Sequence, residues 1–331
     1  MPPQFWLWTG LGLAVFGVVY WWVSENALAK QKAEVMARQR AVSATLGPKI
    51  LPFREAVESF VLDLAGPWSG DMVAPGTTLE ELQRPNAVYL RVRQADVHDT
   101  KSIALAAQGS LLDGFTSCLF VREGEKDSPR EGKRCNVSSD CSPGELCNEW
   151  NVCAAPSRPF NLRLAYRALR VLEPAWAEEL HEAPTEIAVR ARDQDLQSVT
   201  KVDVPVAIEL LTAAKLFVAV VDEDPKDGLP PPGDAGTQES PMQRLQRLGH
   251  FARVGVYDLV GHKVLLKLRA ESNAQVVFLN QARAATAEAV SAQARQANSC
   301  ELALAVREAL SPAPKEDAGG ESPAGLGAAQ P

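Results

Sequence analysis

The most apolar stretch of the chain lies near its amino terminus, where residues 5–23 form an uncharged run of about 19 residues. A helix needs about 20 apolar residues to cross the hydrocarbon core of a bilayer. The aromatic residues of the run gather at its two ends, where rings with polar tips lie between headgroups and acyl chains. The pattern predicts a membrane-spanning helix at residues 1–23, which contacts lipid through residues 5–23.

A cleaved signal peptide is the alternative interpretation of this run. Ala27 and Ala29 offer small residues in the arrangement of a cleavage site. The segment before the run has no Lys or Arg, however, and the run is longer than the apolar core of a signal peptide, which has about 7 to 15 residues. A retained anchor is therefore favoured.

Three small residues in the run share one helix face, because Gly10, Ala14 and Gly17 are spaced by four and three positions. Small residues let two membrane helices approach closely. This face is a candidate for helix packing in the membrane and would allow a homodimer.

Beyond the anchor, helical and strand periodicities alternate along the chain. The predicted helices are residues 24–46, 100–108, 160–172, 205–214 and 275–310, the last one rich in alanine. The predicted strands are residues 87–93, 115–122, 216–221, 253–259 and 263–269, with a turn at Gly261 between the last two. Residues 87–93 alternate as a half-buried strand with Arg91 and Arg93 on its polar face. The predicted fold class is α+β.

Proline and glycine divide this pattern into segments. The helix at residues 24–46 is expected to end at Gly47-Pro48 and to form a stalk. The predicted segments are an anchor at residues 1–23, a helical stalk and connecting segment at 24–85, an α+β domain at 86–310 and a disordered tail at 311–331. Two loops interrupt the domain: a Cys-rich loop at residues 134–153 and an acidic Pro/Gly loop at residues 222–241.

The six cysteines suggest the redox compartment of the body. Four of them lie in the Cys-rich loop with five residues between neighbours, at Cys135, Cys141, Cys147 and Cys153, and the others are Cys118 and Cys300. Structural zinc sites are usually built on closer pairs, two to four residues apart. Disulfides are therefore favoured over a zinc site or free thiols, and the four loop cysteines alone allow three pairings.

Two arguments conflict about the orientation of the anchor. Four basic residues follow the run, Lys30, Lys32, Arg38 and Arg40, and the positive-inside rule would place the body in the cytoplasm. Disulfides persist only in oxidising compartments, and long domains translocate largely regardless of flanking charge. The expected location is the cytoplasmic membrane, with a single span and a periplasmic body.

One short stretch carries a resemblance. Residues 134–153 contain Asp140-Cys141, Gly144 and Cys147, and this arrangement resembles the small Cys-rich disulfide loops of secreted and envelope proteins. The resemblance implies that Cys135 pairs with Cys147 and that Cys141 pairs with Cys153. Cys118 and Cys300 would then form a long-range disulfide.

Charge and motifs exclude several functions. The net charge of −7 argues against a dedicated nucleic-acid binder. No motif for nucleotide binding, zinc proteolysis or serine hydrolysis is present, and no cofactor is expected. His98 beside Asp99, with Ser110 or Asp113 nearby, is a weak acid–base candidate, because adjacent side chains on a regular element point apart.

A second weak candidate is a calcium site. Asp222, Asp224 and Asp227 offer oxygen ligands close in sequence, and Gly228 would allow a sharp turn. The spacing departs from the familiar calcium loop, and Pro225 interrupts it. A solvated acidic loop is the preferred interpretation.

Together, the anchor, the Cys-rich loop and the missing motifs favour a binding or scaffolding module over an enzyme. The expected partner is another envelope protein, which the sequence does not identify. An extracytoplasmic hydrolase without a sequence-local motif is the alternative.

Overall fold

The structure is a computed structural model that describes residues 3–83, 86–110, 114–120, 132–142, 145–147, 151–154, 159–229, 239–274 and 287–311. At residues 3–15 and 17–24 it describes the backbone alone. The predicted packing face of Gly10, Ala14 and Gly17 therefore lies outside the described side chains. The predicted tail lies outside the described residues from position 312 onwards.

The elements follow one another as a mixture of helices and strands. The helices are α1 (Pro3–Ala65), α2 (Leu79–Gln83), α3 (Thr100–Gly109), α4 (Gly114–Phe120), α5 (Leu162–Leu169), α6 (Pro174–His181), α7 (Glu186–Lys201), α8 (Asp203–Ala213), α9 (Pro241–Gln246) and α10 (Ala287–Leu310). The strands are β1 (Met72–Val73), β2 (Ala87–Arg93), β3 (Leu146–Cys147), β4 (Cys153–Ala154), β5 (Phe160–Asn161), β6 (Leu216–Asp222), β7 (His250–Asp258) and β8 (Lys263–Ser272).

Six of these strands form one sheet in the order β1-β8-β7-β6-β2-β5. Strand β2 runs parallel to both β5 and β6, whereas β6, β7, β8 and β1 pair antiparallel in succession. The short strands β3 and β4 form a separate hairpin in the Cys-rich loop. The chain is therefore a mixed α+β body, as predicted.

Helices cover both faces of the large sheet. On one face, α1, α3, α5, α6, α7 and α8 pack over alternate residues of β2 and β6, such as Leu90 and Ala219. On the other face, α4 and α10 pack over the intervening residues, such as Tyr89 and Val218. Because both faces are covered, the central strands are buried on both sides.

This double cover corrects the prediction for residues 87–93. The strand forms as predicted, but it is buried on both faces and not half-buried, and the Arg91 side chain has no exposed surface. Alternation indicated a polar face because arginine usually contacts water. Here a buried partner takes the place of water, as described below.

Helix α1 corrects a second prediction. It continues through Gly47-Pro48 and Pro52 to Ala65. Proline disfavours a helix interior by about 3 kcal/mol. Buried side chains before, between and after these prolines, including Val35, Ile50 and Val57, anchor the helix to the body. The predicted stalk and connecting segment, residues 24–85, therefore contributes side chains to the core.

Among the residues whose side chains are described, no single helix is long and apolar enough to cross a membrane. Helices α3 and α4 reach that length and composition only when they are taken together across an 87° bend.

A local prediction was also wrong. Residues 114–120 form the helix α4 and not a strand, and Phe115 of this helix stacks on Tyr89 of β2. The turn between β7 and β8 includes Gly261, as predicted, and within it His262 has a positive φ of 49°. Asp258 accepts the backbone N–H groups of Val260 and Gly261 in this turn, which defines its shape.

Candidate functional site

A buried polar network lies where the carboxyl ends of β2 and β6 meet. Its members come from elements that are distant in sequence but adjacent in the sheet and in the layer above it. They are Arg91 of β2, Asp222 of β6, His250 of β7, Ser272 of β8 and Ser299 of α10. Crevices near the carboxyl ends of strands are the usual position of ligand sites in open parallel sheets, so this network is the first candidate for function.

Arg91 and Asp222 form the centre of the network. The Arg91 Nε and Nη2 atoms donate to the two carboxylate oxygens of Asp222, each at 2.7 Å. Arg91 Nη1 donates to Ser299 Oγ at 2.9 Å. Both charged side chains are 0% exposed. This two-pronged arrangement is the strongest geometry for an arginine–carboxylate pair.

His250 extends the network to the next strand. Its Nε2 atom lies 2.8 Å from Asp222 Oδ1, and its Nδ1 atom lies 2.8 Å from the backbone oxygen of Leu248. Asn298 of α10 donates to the same Leu248 oxygen at 2.9 Å. Ser272 Oγ of β8 lies 3.1 Å from His250 Nδ1. Through Ser299, the network joins four strands of the sheet to α10.

The charge state of Asp222 follows from these partners. Burial alone raises the pKa of its carboxyl group, but the nearby Arg91 guanidinium and the hydrogen bonds from His250 and Arg91 outweigh that effect. They hold the pKa of Asp222 well below its usual range. The folded body therefore contains an ionised carboxylate in its interior at neutral pH.

This lowered pKa predicts an acid-sensitive contribution to stability. The unfolded chain has the ordinary pKa of 3.8, so the contribution is complete above that pH and decreases as the pH falls towards the lower folded pKa. Urea denaturation of the wild type and of Asp222→Asn is compared between pH 6 and pH 3. Below pH 3.8, the wild type should lose up to about 1.4 kcal/mol more per pH unit than the variant. Equal slopes would contradict the lowered pKa.

The hydrogen bonds of the network have a structural role. The Arg91, Asp222 and His250 side chains have no exposed surface, so a substrate does not reach them in this conformation. Their hydrogen bonds instead hold α10 against the sheet. The candidate site is therefore an internal ionic connection between layers.

A second layer of ion pairs surrounds this network at the same edge of the sheet. Arg93 donates to both oxygens of Asp224, at 3.2 and 2.7 Å. Glu223 accepts from Arg253 at 2.5 Å and from Arg269 at 2.7 Å. Burial raises the pKa of Glu223, but the hydrogen bonds from the two arginines lower it further than burial raises it. These charges are paired with one another.

The structure does not bring the three calcium candidates together around one centre. Asp222 is held by Arg91, Asp224 is held by Arg93, and Asp227 lies in a turn closed by a hydrogen bond from Gly228 to Pro225. In the described part of the chain, the only metal-sized group of three ligand side chains is Cys135, Cys141 and Cys153, and disulfides occupy these sulfurs.

The residues of the weak acid–base candidate have separate positions, and two of them have structural roles. Asp99 caps α3 by accepting from the backbone of Ser102 at 2.7 Å, and these hydrogen bonds lower the pKa of Asp99. Ser110 is buried and accepts the backbone N–H of Arg91 at 3.2 Å. His98 is exposed beside the cap, and Asp113 lies outside the described residues.

All six cysteines lie in pairs at disulfide distance, which supports the prediction of disulfide bonds. The pairs are Cys118–Cys300, Cys135–Cys147 and Cys141–Cys153, the same pairs named in the sequence analysis. The first joins α4 to α10 on the face of the sheet that they cover. The other two close the Cys-rich loop.

Sequence reasoning missed the buried network, although one signal for it was present. Arg91 interrupts an apolar strand, and Asp222 ends another apolar strand, so two opposite charges lay in segments that are otherwise core-like. Buried charges are usually paired. The roles of His250 and Ser299 had no local signal, because the tertiary fold alone places them beside Asp222 and Arg91.

Comparisons of the chain with protein-family models, with curated proteins and with solved structures found no match. Any assignment of function therefore rests on the residues described above.

Proposed function

We propose that this chain is a single-pass, membrane-anchored envelope protein whose body lies outside the cytoplasmic membrane, in the periplasm, and binds or scaffolds another envelope protein. The observation that carries the proposal is the pairing of all six cysteines, with no free thiol among them. Disulfides form and persist in oxidising compartments such as the periplasm. Three of them in one body favour an extracytoplasmic address.

The anchor is the second part of the proposal. The apolar run at residues 5–23 belongs to the same backbone helix, α1, whose later turns pack in the body. A run of that length and composition suits a bilayer span. The basic residues that follow it favour the opposite orientation, and the disulfides are given more weight because long domains translocate largely regardless of flanking charge.

The buried network supports a binding role more than a catalytic one. The strongest arrangement of charged groups in the described residues lies inside the body, where it connects α10 to the sheet. The ion pairs around it are satisfied by one another. A rigid body with fixed layers and a disulfide-closed loop suits partner recognition. Val137 in that loop is more than half exposed and is a candidate contact for the partner.

Thiol labelling tests the address and the disulfides together. Cells that express the full chain are lysed directly into denaturant that contains a maleimide, with and without prior reduction. We expect no labelled cysteine without reductant and six after reduction, because every thiol is paired. Six labelled cysteines in the unreduced, denatured protein would contradict both the disulfides and the periplasmic location.

Photo-crosslinking in the same cells tests the binding role. A photoreactive amino acid replaces Val137 in the Cys-rich loop, and Leu304 on the outer side of α10 is the control position with similar exposure. A discrete heteromeric adduct from position 137, weaker or missing from position 304, is the expected result. An adduct at twice the chain mass would indicate a homodimer instead. If neither position gives an adduct, the result would argue against Val137 as the partner contact.

A further inference from the structure

The body begins very close to the end of the apolar run. Leu28 is partly buried against the core, and it lies five residues after Val23 in a helix without an intervening proline or glycine. At 1.5 Å per residue, these five residues span about 7.5 Å. The headgroup region outside the hydrocarbon core is about 5 to 7 Å thick on each side. The first packing contact of the body therefore lies at the outer limit of the headgroups.

The contacts along α1 show which part of the body lies at this end. Lys32 Nζ donates to the backbone oxygen of His181, at the end of α6, at 2.7 Å. Further along α1, Arg38 forms an ion pair with Asp193 in the middle of α7, at 3.1 Å. Helix α7 therefore runs away from the amino-terminal end of α1. The turn between α6 and α7 and the start of α7 face that end.

The surface at this end suits contact with lipid headgroups. Ile187, in the first turn of α7, is 79% exposed, the largest exposure among the large apolar side chains described. Charges of both signs lie on the same elements: Arg190 pairs with Glu186 of α7 at 3.2 Å, and Lys30 is exposed on α1. A surface with charges of both signs does not need anionic lipids to approach a bilayer. An exposed apolar side chain can lie among the headgroups.

We propose that residues 25–28 of α1 lie among the headgroups of the bilayer that residues 5–23 cross, and that residues 181–187, beside Lys32 and about 13.5 Å of helix beyond Val23, face the outer surface of those headgroups. This inference depends on the anchor in the proposed function. In this arrangement the body lies directly on the membrane surface and is not held away from it on a stalk. A partner must then approach the sides of the body or the end that is distant from the membrane.

Energy transfer to lipid acceptors tests this arrangement. An azide-bearing amino acid replaces Ile187 in one full-length variant and Val73 in another, so that a donor dye is attached without using thiols. Val73 is also an exposed apolar residue, and it follows the far end of α1, about 60 Å of helix beyond Val23. Each variant is reconstituted in phosphatidylcholine vesicles with a headgroup-labelled acceptor. Transfer at position 187 should be several-fold more efficient than at position 73.

A second variant tests whether the energy transfer at position 187 depends on the continuous helix between the apolar run and the body. A flexible ten-residue Gly/Ser insertion after Asn26 breaks the helix between the apolar run and Leu28 without changing the body. It should reduce transfer at position 187 and leave flotation with vesicles unchanged. Equal transfer at positions 187 and 73, or no effect of the insertion, in protein that floats with vesicles would overturn this inference alone. Protein that does not float would overturn the proposed anchor and this inference with it.

Discussion

Replacing Arg91 with methionine is expected to lower the free energy of unfolding by about 3 to 5 kcal/mol, because it leaves a buried charge without its partner. Both carboxylate oxygens of Asp222 accept from the Arg91 guanidinium, and neither side chain has any exposed surface. Methionine has a comparable length but no donor. The free energy of unfolding is measured by urea denaturation at pH 7, with circular dichroism as the signal.

Arg190→Met is the matched control, since it makes the same chemical change in an exposed ion pair on α7. Exposed pairs of this kind contribute about 0.3 to 0.5 kcal/mol. The double variant Arg91→Met/Asp222→Leu should recover part of the loss, because it removes the unpaired carboxylate together with its partner. Similar losses for Arg91→Met and Arg190→Met would show that the buried pair does not stabilise the body.

Replacing Phe60 with alanine is expected to cost about 3 to 5 kcal/mol of stability, the usual range for a buried phenylalanine. Phe60 lies near the end of α1 and packs edge-on to Phe217 of β6, with ring centroids 5.9 Å apart. Its ring also lies over Gly255 of β7, where a β-carbon would come within 2.6 Å of it. Removing the ring would leave a cavity between α1 and the sheet. The change in stability is measured by the same denaturation.

Leu51→Ala is the control for Phe60→Ala, because Leu51 lies on the same helix and is 56% exposed. Its loss should stay within about 0.5 kcal/mol, as for most surface substitutions. A loss of that size for Phe60→Ala as well would mean that the end of α1 does not pack on the sheet. The pair of variants thus tests whether the segment predicted as a stalk and connection belongs to the core.

Much of the sheet could be predicted from the sequence. Residues 216–221 were predicted as a strand, and β6 is an interior strand of the sheet. The two strands around residue 260 form the hairpin of β7 and β8, as predicted. These segments are long, apolar or strongly periodic, so the local pattern and the tertiary fold favour the same structure.

Two predictions failed because tertiary packing favoured a structure different from the one that the local pattern indicated. The apolar residues around Phe115 have the composition of a strand, but they pack as the helix α4 against α10. Pro48 favours a helix end, but the packing of α1 on the sheet continues past it. In both cases tertiary contacts outweigh an intrinsic preference of a few kcal/mol at most.

The sequence by itself determined the apolar run, the α+β composition, the hairpin and the presence of disulfides, because these features depend on neighbouring residues or on the number of cysteines. Only the tertiary structure decided that Arg91, Asp222, His250 and Ser299 form one network, since 208 positions separate its most distant hydrogen-bonded pair. It also placed the end of α6 beside Lys32 of α1. Residues far apart in sequence meet only when the sheet orders its strands, and that order is set by packing across the whole body.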